Sequence, residues 1–299
     1  MMPEITDLQS AIKSSIEPGM QVAIEGFTHL IPFAAAQEII RQGITGLTLI
    51  RLTPDVIYDQ MIGMGCANKL IFSWGGNPGV GSLHRLRDAV ENGWPNSLEL
   101  DERSHAAMCA AYTAGASGLP FGALRGFVGS DLPQHNPSIR FLDCPFTKDK
   151  LAVTSAIQPD VAIIHAQQAD RQGNVMLWGI IGVQKDIALA AKRVVVTVEE
   201  VVDEFAVKSN VTVLPSWTID TICEVPGGAS PSYAHDYYQR DNAAYKEWDG
   251  ISRSRENFLE WMEYHVLETN RLANLENVSA HERSNLSGNH DSHGSALAP

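Results

Sequence analysis

The sequence predicts an α/β fold: an open, mostly parallel sheet with helices on both faces, followed by a helical C-terminal segment. Three observations predict it. Short apolar runs such as Met20–Glu25, Leu47–Leu52, Leu70–Trp74 and Val161–His165 alternate with stretches of helical periodicity. Glycine-rich loops stand directly after several runs, as at Gly26 and Gly75-Gly76. The strand–loop–helix unit recurs at roughly 20–30 residues, the length of a crossover between parallel strands.

The elements follow in order. Ile5, Leu8, Ile12 and Ile16 fall at helical spacing, and Pro18-Gly19 ends that helix. Met20–Glu25 is a strand broken by Gly26. Pro32 opens a helix through Ala34–Arg41, since proline in a first turn sacrifices no hydrogen bond. Leu47–Leu52 is a strand, Asp55–Gly63 a helix and Leu70–Trp74 a third strand. A helix over Ser82–Val90, a short strand at Leu98–Leu100 and a small-residue helix over Ala106–Ala116 follow. Val128–Asp149, with Pro133, Pro137 and Pro145, reads as an irregular crossing. The pattern resumes at Val161–His165, Val175–Trp178, Ile187–Lys192 and Val194–Val198, with a β-turn at Asp170-Arg171-Gln172-Gly173-Asn174. Tyr233–Tyr264 is aromatic and charged and reads as helices laid on the core or across a partner. Ser284–Pro299 is rich in Ser, Asn, His and Gly. Residues 1–266 are therefore expected as one domain and 267–299 as a disordered tail, to which His290 and His293 belong.

The 299 residues are 44% apolar and 19% charged, a globular composition large enough for a substantial core. A net charge of −13 argues against nucleic acid and against an anionic membrane surface. The apolar runs are far shorter than the ~18 residues of a membrane span. The first residues lack the basic and apolar regions of a signal peptide, so a cytoplasmic location is expected. Cys66, Cys109, Cys144 and Cys223 are scattered and read as reduced, buried thiols. There is no His-Glu-x-x-His or close His/Cys cluster to hold a metal, and no Gly-x-Ser-x-Gly elbow.

Ligands of open parallel sheets bind at the carboxyl ends of the strands, so the loops there are the candidates. In Glu25-Gly26-Phe27-Thr28-His29-Leu30-Ile31-Pro32, Gly26 permits close backbone approach, and amides entering the helix can hold an oxyanion. A plain tight turn is the alternative, and the spacing does not separate the two. Ser73–Ser82 holds four glycines from Gly75 to Gly81. Ser73, Gly75, Gly76 and Asn77 suit a backbone cradle for an acyl or pyrophosphate group, without the register of a nucleotide loop; a structural bend is the alternative. Glu99–His105 places three carboxylates and a histidine at a strand end. Glu102 with His105 suits acid–base work, or the segment is a solvated turn in which Ser104 or Asp101 caps the next helix. Arg125 suits a substrate carboxylate, or an ion pair with the acidic loop. No complete active site is evident, as expected if the site is shared between chains.

Val22–Pro32 (Val-Ala-Ile-Glu-Gly-Phe-Thr-His-Leu-Ile-Pro) resembles the α-subunit signature of the family I CoA-transferases. Thr53–Gly65, Phe72–Val90, His165–Gly179 and Ser232–Trp248 are similar to the same family, in its 3-oxoadipate branch, with the glutaconate branch next. The resemblance covers residues 5 to 266. It implies the open α/β CoA-transferase fold and a two-chain enzyme in which this chain is α and a β subunit is the partner. It implies no permanently bound cofactor, and a CoA thioester and a dicarboxylate as substrates. The implied reaction is succinyl-CoA plus 3-oxoadipate to succinate plus 3-oxoadipyl-CoA, in aromatic-compound catabolism. A glutaconate or other dicarboxylate CoA-transferase, or a ring-cleaving CoA-thioester hydrolase, is the alternative; a non-catalytic ligand-binding protein of the sugar-isomerase-like superfamily is a third. In the family a β-subunit glutamate attacks the acyl-CoA and passes through an anhydride to a glutamyl-CoA thioester, a course open to a carboxylate held near an electrophile in a dry interface.

The resemblance also implies that Gly26, Phe27 and Thr28 form an oxyanion loop. The chain departs from the family there. The signature reads Gly-Gly-Phe with a further glycine before the proline, whereas here Glu25 replaces the first glycine, the loop is one residue shorter and Leu30-Ile31 precede Pro32. Glu25 is alternatively a polar group aimed into the site. Val90-Glu91-Asn92-Gly93 holds the Glu-Asn-Gly triplet of β subunits without its flanking residues, and Asn92-Gly93 is expected to end a helix. Glu102 lies in a loop that faces the active site in some hydrolytic relatives, which implies an acid–base or orienting role.

Overall fold

The computed structural model describes residues 2–78, 80–206 and 208–268. In chain order its elements are β1 (Glu4–Ile5), α1 (Leu8–Ser15), β2 (Gln21–Glu25), α2 (Phe33–Arg41), β3 (Leu47–Ile50), α3 (Val56–Gly63), β4 (Ala67–Phe72), α4 (His84–Asn92), β5 (Glu99–Glu102), α5 (His105–Ala116), β6 (Phe121–Leu124), α6 (Leu132–His135), β7 (Ile139–Asp143), β8 (Lys150–Ser155), β9 (Val161–Asp170), β10 (Val175–Trp178), α7 (Gln184–Ala190), β11 (Arg193–Val202), β12 (Val211–Leu214), β13 (Thr221–Glu224), α8 (Asn242–Arg253) and α9 (Arg255–Met262). The main sheet runs β1-β13-β11-β9-β2-β3-β4-β5, and every neighbouring pair along it is parallel. β10 and β12 extend it antiparallel. The predicted turn between β9 and β10 forms, with the Asp170 N–H donating to Asn174 O at 2.9 Å.

Strand periodicity builds a core on each face, because successive side chains point to opposite sides. In β2, Val22 and Ile24 join one core while Ala23 joins the other. In β9, Val161 and Ile163 face one way and Ala162 and Ile164 the other. Helices α1–α4, α8 and α9 cover the first face; α5 and α7 cover the second. β2 leads to β3 on one side and pairs with β9 on the other, so the topological switch point lies at β2/β9.

Several expectations change. Ile5 is in β1, paired with Ile222, and α1 starts only at Leu8, where the Asp7 side chain accepts from Ser10 N–H. The segment 128–149 is not merely irregular: it contains α6 and β7, and β6-β8-β7 form a separate antiparallel sheet. Its strands are short and half exposed, and β7 is broken by Arg140. Cys66 and Cys223 are buried, but Cys109 is exposed and Cys144 intermediate; the Cys109 side of α5 faces away from the core. The C-terminal helices pack on this chain's own core through Tyr245, Trp248, Phe258 and Met262. The expected tail, with His290 and His293, lies outside the described residues from residue 269 onward. No helix among the described residues is long and apolar enough to cross a membrane.

Candidate functional site

The loops after β2, β3, β4 and β5 emerge at one edge, because these strands are mutually parallel. The loop after β2 stands at the switch point, where open α/β sheets bind ligands. Gly26 is fixed in its identity: an added Cβ would lie 2.5 Å from Leu30 O and 2.8 Å from Ile31 Cα. Thr28 and Leu30 hold positive φ of 58° and 54°, a conformation that costs a side-chain-bearing residue roughly 1–2 kcal/mol and persists only where the surroundings impose it.

Those surroundings come from three directions. Arg51 Nη2 donates to Gly26 O at 2.9 Å. Ser232 Oγ donates to Thr28 O at 3.0 Å, and Leu30 N–H to Tyr233 O at 2.9 Å. The third tie is His29, whose ring is fully buried. The backbone N–H of His235 donates to His29 Nε2 at 2.9 Å, so Nδ1 carries the proton and donates to Ile180 O at 3.1 Å. Burial, above all, pushes the imidazole down to about 4, and it stays neutral near pH 7. Among the described residues, no protein group accepts from the Phe27, Thr28 or His29 amide. Phe27 itself is exposed at the switch-point loop.

Glu25 is not aimed into the site. It is buried beneath the loop, where Oε1 accepts from Leu52 N–H at 2.7 Å and Tyr112 OH at 2.8 Å. Burial raises its carboxyl to about 7, against the opposing pull of the nearby Arg51 cation.

The glycine-rich loop is clamped in place. Gly76 N–H donates to Pro54 O at 3.1 Å. Asn77 is buried; its Nδ2 donates to Tyr245 O at 2.7 Å while its Oδ1 has no partner. Gly75 is part of the same turn. The Ser73 hydroxyl donates its one proton to Leu52 O at 2.5 Å, so at 3.1 Å from His105 Nδ1 it accepts. His105 therefore carries its proton on Nδ1 and presents Nε2 outward from an exposed position.

The acidic loop divides. Asp101 is structural: Arg103 grips both its oxygens at 3.0 and 2.8 Å, and Asn136 and Ser138 each donate at 2.8 Å. Arg103 then reaches Thr154 and Ser155, fastening the small sheet to β5. Ser104, not Asp101, caps α5. Glu102 is exposed at the carboxyl end of the edge strand β5, level with Phe72.

Two further candidates are held in ion pairs of their own. Arg125 follows β6 on the small sheet and pairs at 2.6 Å with half-buried Asp149, not with the acidic loop. Glu91 pairs with Arg87 on the exposed side of α4, and Gly93 ends that helix in the left-handed conformation at φ 69°.

Sequence reasoning overlooked Arg51 and a buried polar cluster next to the switch point. In that cluster His165 Nε2 meets Glu199 Oε1 at 2.7 Å and Nδ1 meets Thr197 Oγ1 at 2.8 Å. Tyr238 OH and Gly227 N–H also donate to Glu199, at 2.6 and 2.7 Å. A signal was available. A polar side chain inside a continuously buried strand must be paired, and His165, Thr197 and Glu199 all interrupt such runs.

Comparison with known proteins agrees with this architecture. A family model described as Coenzyme A transferase matches residues 5–225. The A-subunit of 3-oxoadipate CoA-transferase from Pseudomonas knackmussii is 59% identical over 268 residues, covering 90% of this chain and 95% of that protein. The A-subunit of glutaconate CoA-transferase from Acidaminococcus fermentans is 32% identical over 86% of each. The crystal structure of glutaconate coenzyme A-transferase from that organism superposes with a TM-score of 0.85 at 30% identity, covering 94% of both chains. The decarboxylase AibA/AibB superposes at 0.74 and 29% identity, covering 88% of this chain and 99% of the other. With the signature loop at the switch point of an open parallel sheet, and with these matches over nearly its whole described length, the chain belongs to the coenzyme A transferase family.

Proposed function

We propose that this chain is the α subunit of a two-subunit enzyme that moves CoA from succinyl-CoA to 3-oxoadipate. One observation carries the reading. At the switch point no protein group among the described residues accepts from the Phe27, Thr28 or His29 amide, and three carboxylates of this chain are held away from acting as nucleophiles. Glu25 is buried under two donors, Asp101 is held by Arg103, and Glu91 lies on a solvent-facing helix. Glu102 is exposed at the same edge; the likeness to the A-subunits of two CoA-transferases supports assigning the nucleophile to the partner chain.

The chemistry balances on that basis. A partner glutamate attacks the succinyl thioester carbonyl, and CoA leaves as thiolate to give a mixed anhydride. The thiolate attacks the glutamyl carbonyl and succinate leaves. A 3-oxoadipate carboxylate attacks the resulting glutamyl-CoA carbonyl and expels CoA thiolate to give a second mixed anhydride, and the thiolate finally attacks the 3-oxoadipyl carbonyl, freeing the glutamate. Every step places negative charge on a carbonyl oxygen. Amides such as that of Phe27 serve that charge, a contribution on the order of 10²–10³ in rate per donor. Gly26 allows the backbone to approach, Thr28 holds the turn, and Ser73, Gly75, Gly76 and Asn77 form the adjoining wall. Glu102, exposed at the same edge, is assigned to orient the partner's reacting groups; Arg125 is engaged with Asp149 on the small sheet.

The choice of 3-oxoadipate over glutaconate is supported by the difference in likeness, 59% against 32% identity to the two named relatives. The test is an acceptor panel on the assembled pair with succinyl-CoA as donor. The expected result is a kcat/KM for 3-oxoadipate at least about tenfold above glutaconate, a margin of ~1.4 kcal/mol in transition-state binding. Preference for glutaconate, or steady release of free CoA without an acceptor, would overturn the assignment.

A further inference from the structure

We infer that Arg51 is a positioning residue that aims the Phe27 amide into the crevice between β2 and β9; the inference rests on the CoA-transfer reading of that crevice. Arg51 follows β3 and is 1% exposed. Its Nη2 draws the Gly26 carbonyl toward the β3 side at 2.9 Å. A trans peptide is planar, with its C=O and N–H pointing opposite ways. Holding Gly26 O toward β3 therefore turns the N–H of Phe27, in the same peptide unit, toward β9. The Phe27 Cβ itself stands close to Gly182, in the loop between β10 and α7, at 2.9 Å from where a Cβ on that glycine would be.

The guanidinium is itself held in place. Asp55 grips it through Oδ1 at 3.1 Å and Oδ2 at 3.4 Å, and the Tyr58 ring lies 5.5 Å away. The Tyr58 hydroxyl donates to Ile50 O at 2.7 Å and lies 3.2 Å from Ile24 N, so the ends of β2 and β3 are fixed to the same group. Arg51 Nε, however, is buried with no partner. A buried ion pair is a poor stabilising device compared with apolar side chains of similar size, and an orphaned donor makes it poorer. What an apolar side chain cannot do here is hold the Gly26 carbonyl.

The test compares the assembled wild-type pair with one carrying Arg51→Met and Asp55→Asn. This double change removes both charges together and keeps an N-cap side chain for α3. Two readouts are taken: steady-state kcat and KM for acyl-CoA, and amide hydrogen exchange over residues 24–31. Expected are a kcat lowered about 100-fold, the scale of one lost oxyanion donor, a KM changed less than about threefold, and faster exchange at Leu30, whose N–H is bonded to Tyr233 O. Unchanged exchange in that segment, or a kcat within about threefold of wild type, overturns the inference. If the double variant does not assemble, Arg51→Lys is read by the same criteria. It keeps the charge but lacks the planar fork that serves two acceptors at once. A wild-type pair that transfers no CoA would refute the function reading instead, and the exchange comparison would still decide whether Arg51 holds the loop.

Discussion

The indole Nε1 of Trp248 donates to Oδ2 of Asp59 over 3.0 Å, joining residues 189 positions apart. Asp59 Oδ1 accepts from Leu86 N–H at 2.8 Å. One buried carboxyl thus fastens α3, the start of α4 and α8. The C-terminal aromatic segment is therefore part of this subunit's own core. Trp248→Phe should lower the stability of the isolated chain by about 1–3 kcal/mol, the cost of orphaning a buried polar group. Removing residues 233–268 should unfold the chain instead of releasing a partner. Urea denaturation of the separate chain checks both, and a cooperative, undiminished transition in the truncated form would contradict the assignment.

Glu25 links acidity to both stability and rate. Its folded value, raised to about 7 by burial, lies above the ordinary 4.5. Between those values the folded chain keeps a proton that the unfolded chain has lost. Its contribution therefore declines as pH rises from about 4.5 to about 7 and levels off above. Asp59, also raised to about 7 by burial, acts in the same direction. Glu25→Gln keeps an oxygen for Leu52 N–H and Tyr112 OH, so it should flatten this decline. An ionised Glu25 beneath the loop also opposes an oxyanion at Phe27, only partly offset by Arg51. In the wild-type pair kcat should fall as pH rises through about 7, and in Glu25→Gln that fall should vanish. Rate profiles from pH 5.5 to 9 decide it; superimposable profiles would rule the link out.

His29 should behave as a neutral structural pin. Its folded value of about 4 lies below the ordinary 6.5. The unfolded chain takes up the proton first as pH falls, so this contribution to stability is lost from about 6.5 down to about 4. His29→Gln should cost about 1–3 kcal/mol through lost buried hydrogen bonds and lower kcat by about tenfold as the loop relaxes. Thermal melts of wild type and variant at pH 5 and pH 8 supply the check: the stability gap should be narrower at pH 5. An equal gap at both would mean that the histidine is not held neutral.

Arg125 offers a contrast. Its pairing with Asp149 is exposed on the small sheet, and such pairs are worth about 0–1 kcal/mol. Arg125→Ala should leave kcat, acceptor KM and melting temperature close to wild type. A tenfold rise in acceptor KM would return it to the substrate site.

The parallel strands were legible because burial on both faces makes them continuous apolar runs, as in Val161–Ile164. The antiparallel sheet was not, because β6 and β7 are short and half exposed, β6 contains Gly122, and β7 lies in a proline-bearing stretch broken by Arg140. Among the site residues, the loop at Gly26–Thr28 stood out through its glycine and its place after a strand. Arg51 did not, since a lone arginine inside the predicted strand Leu47–Leu52 carries no pattern of its own. Only the tertiary approach of β2 to β3 shows that it is buried under Gly26 O. Glu25 was half legible: its place in the motif was clear, but its direction depends on Leu52 and Tyr112, the latter 87 residues away.

On the reading proposed above, this chain supplies the amide-lined half of a site whose nucleophile lies on a partner. The most direct measurement is CoA transfer from succinyl-CoA to 3-oxoadipate by the purified chain alone and by the chain co-assembled with its β partner. Turnover is expected only in the pair. Turnover by the chain alone would contradict the shared site and return the search for the nucleophile to the carboxylates of this chain, beginning with Glu102.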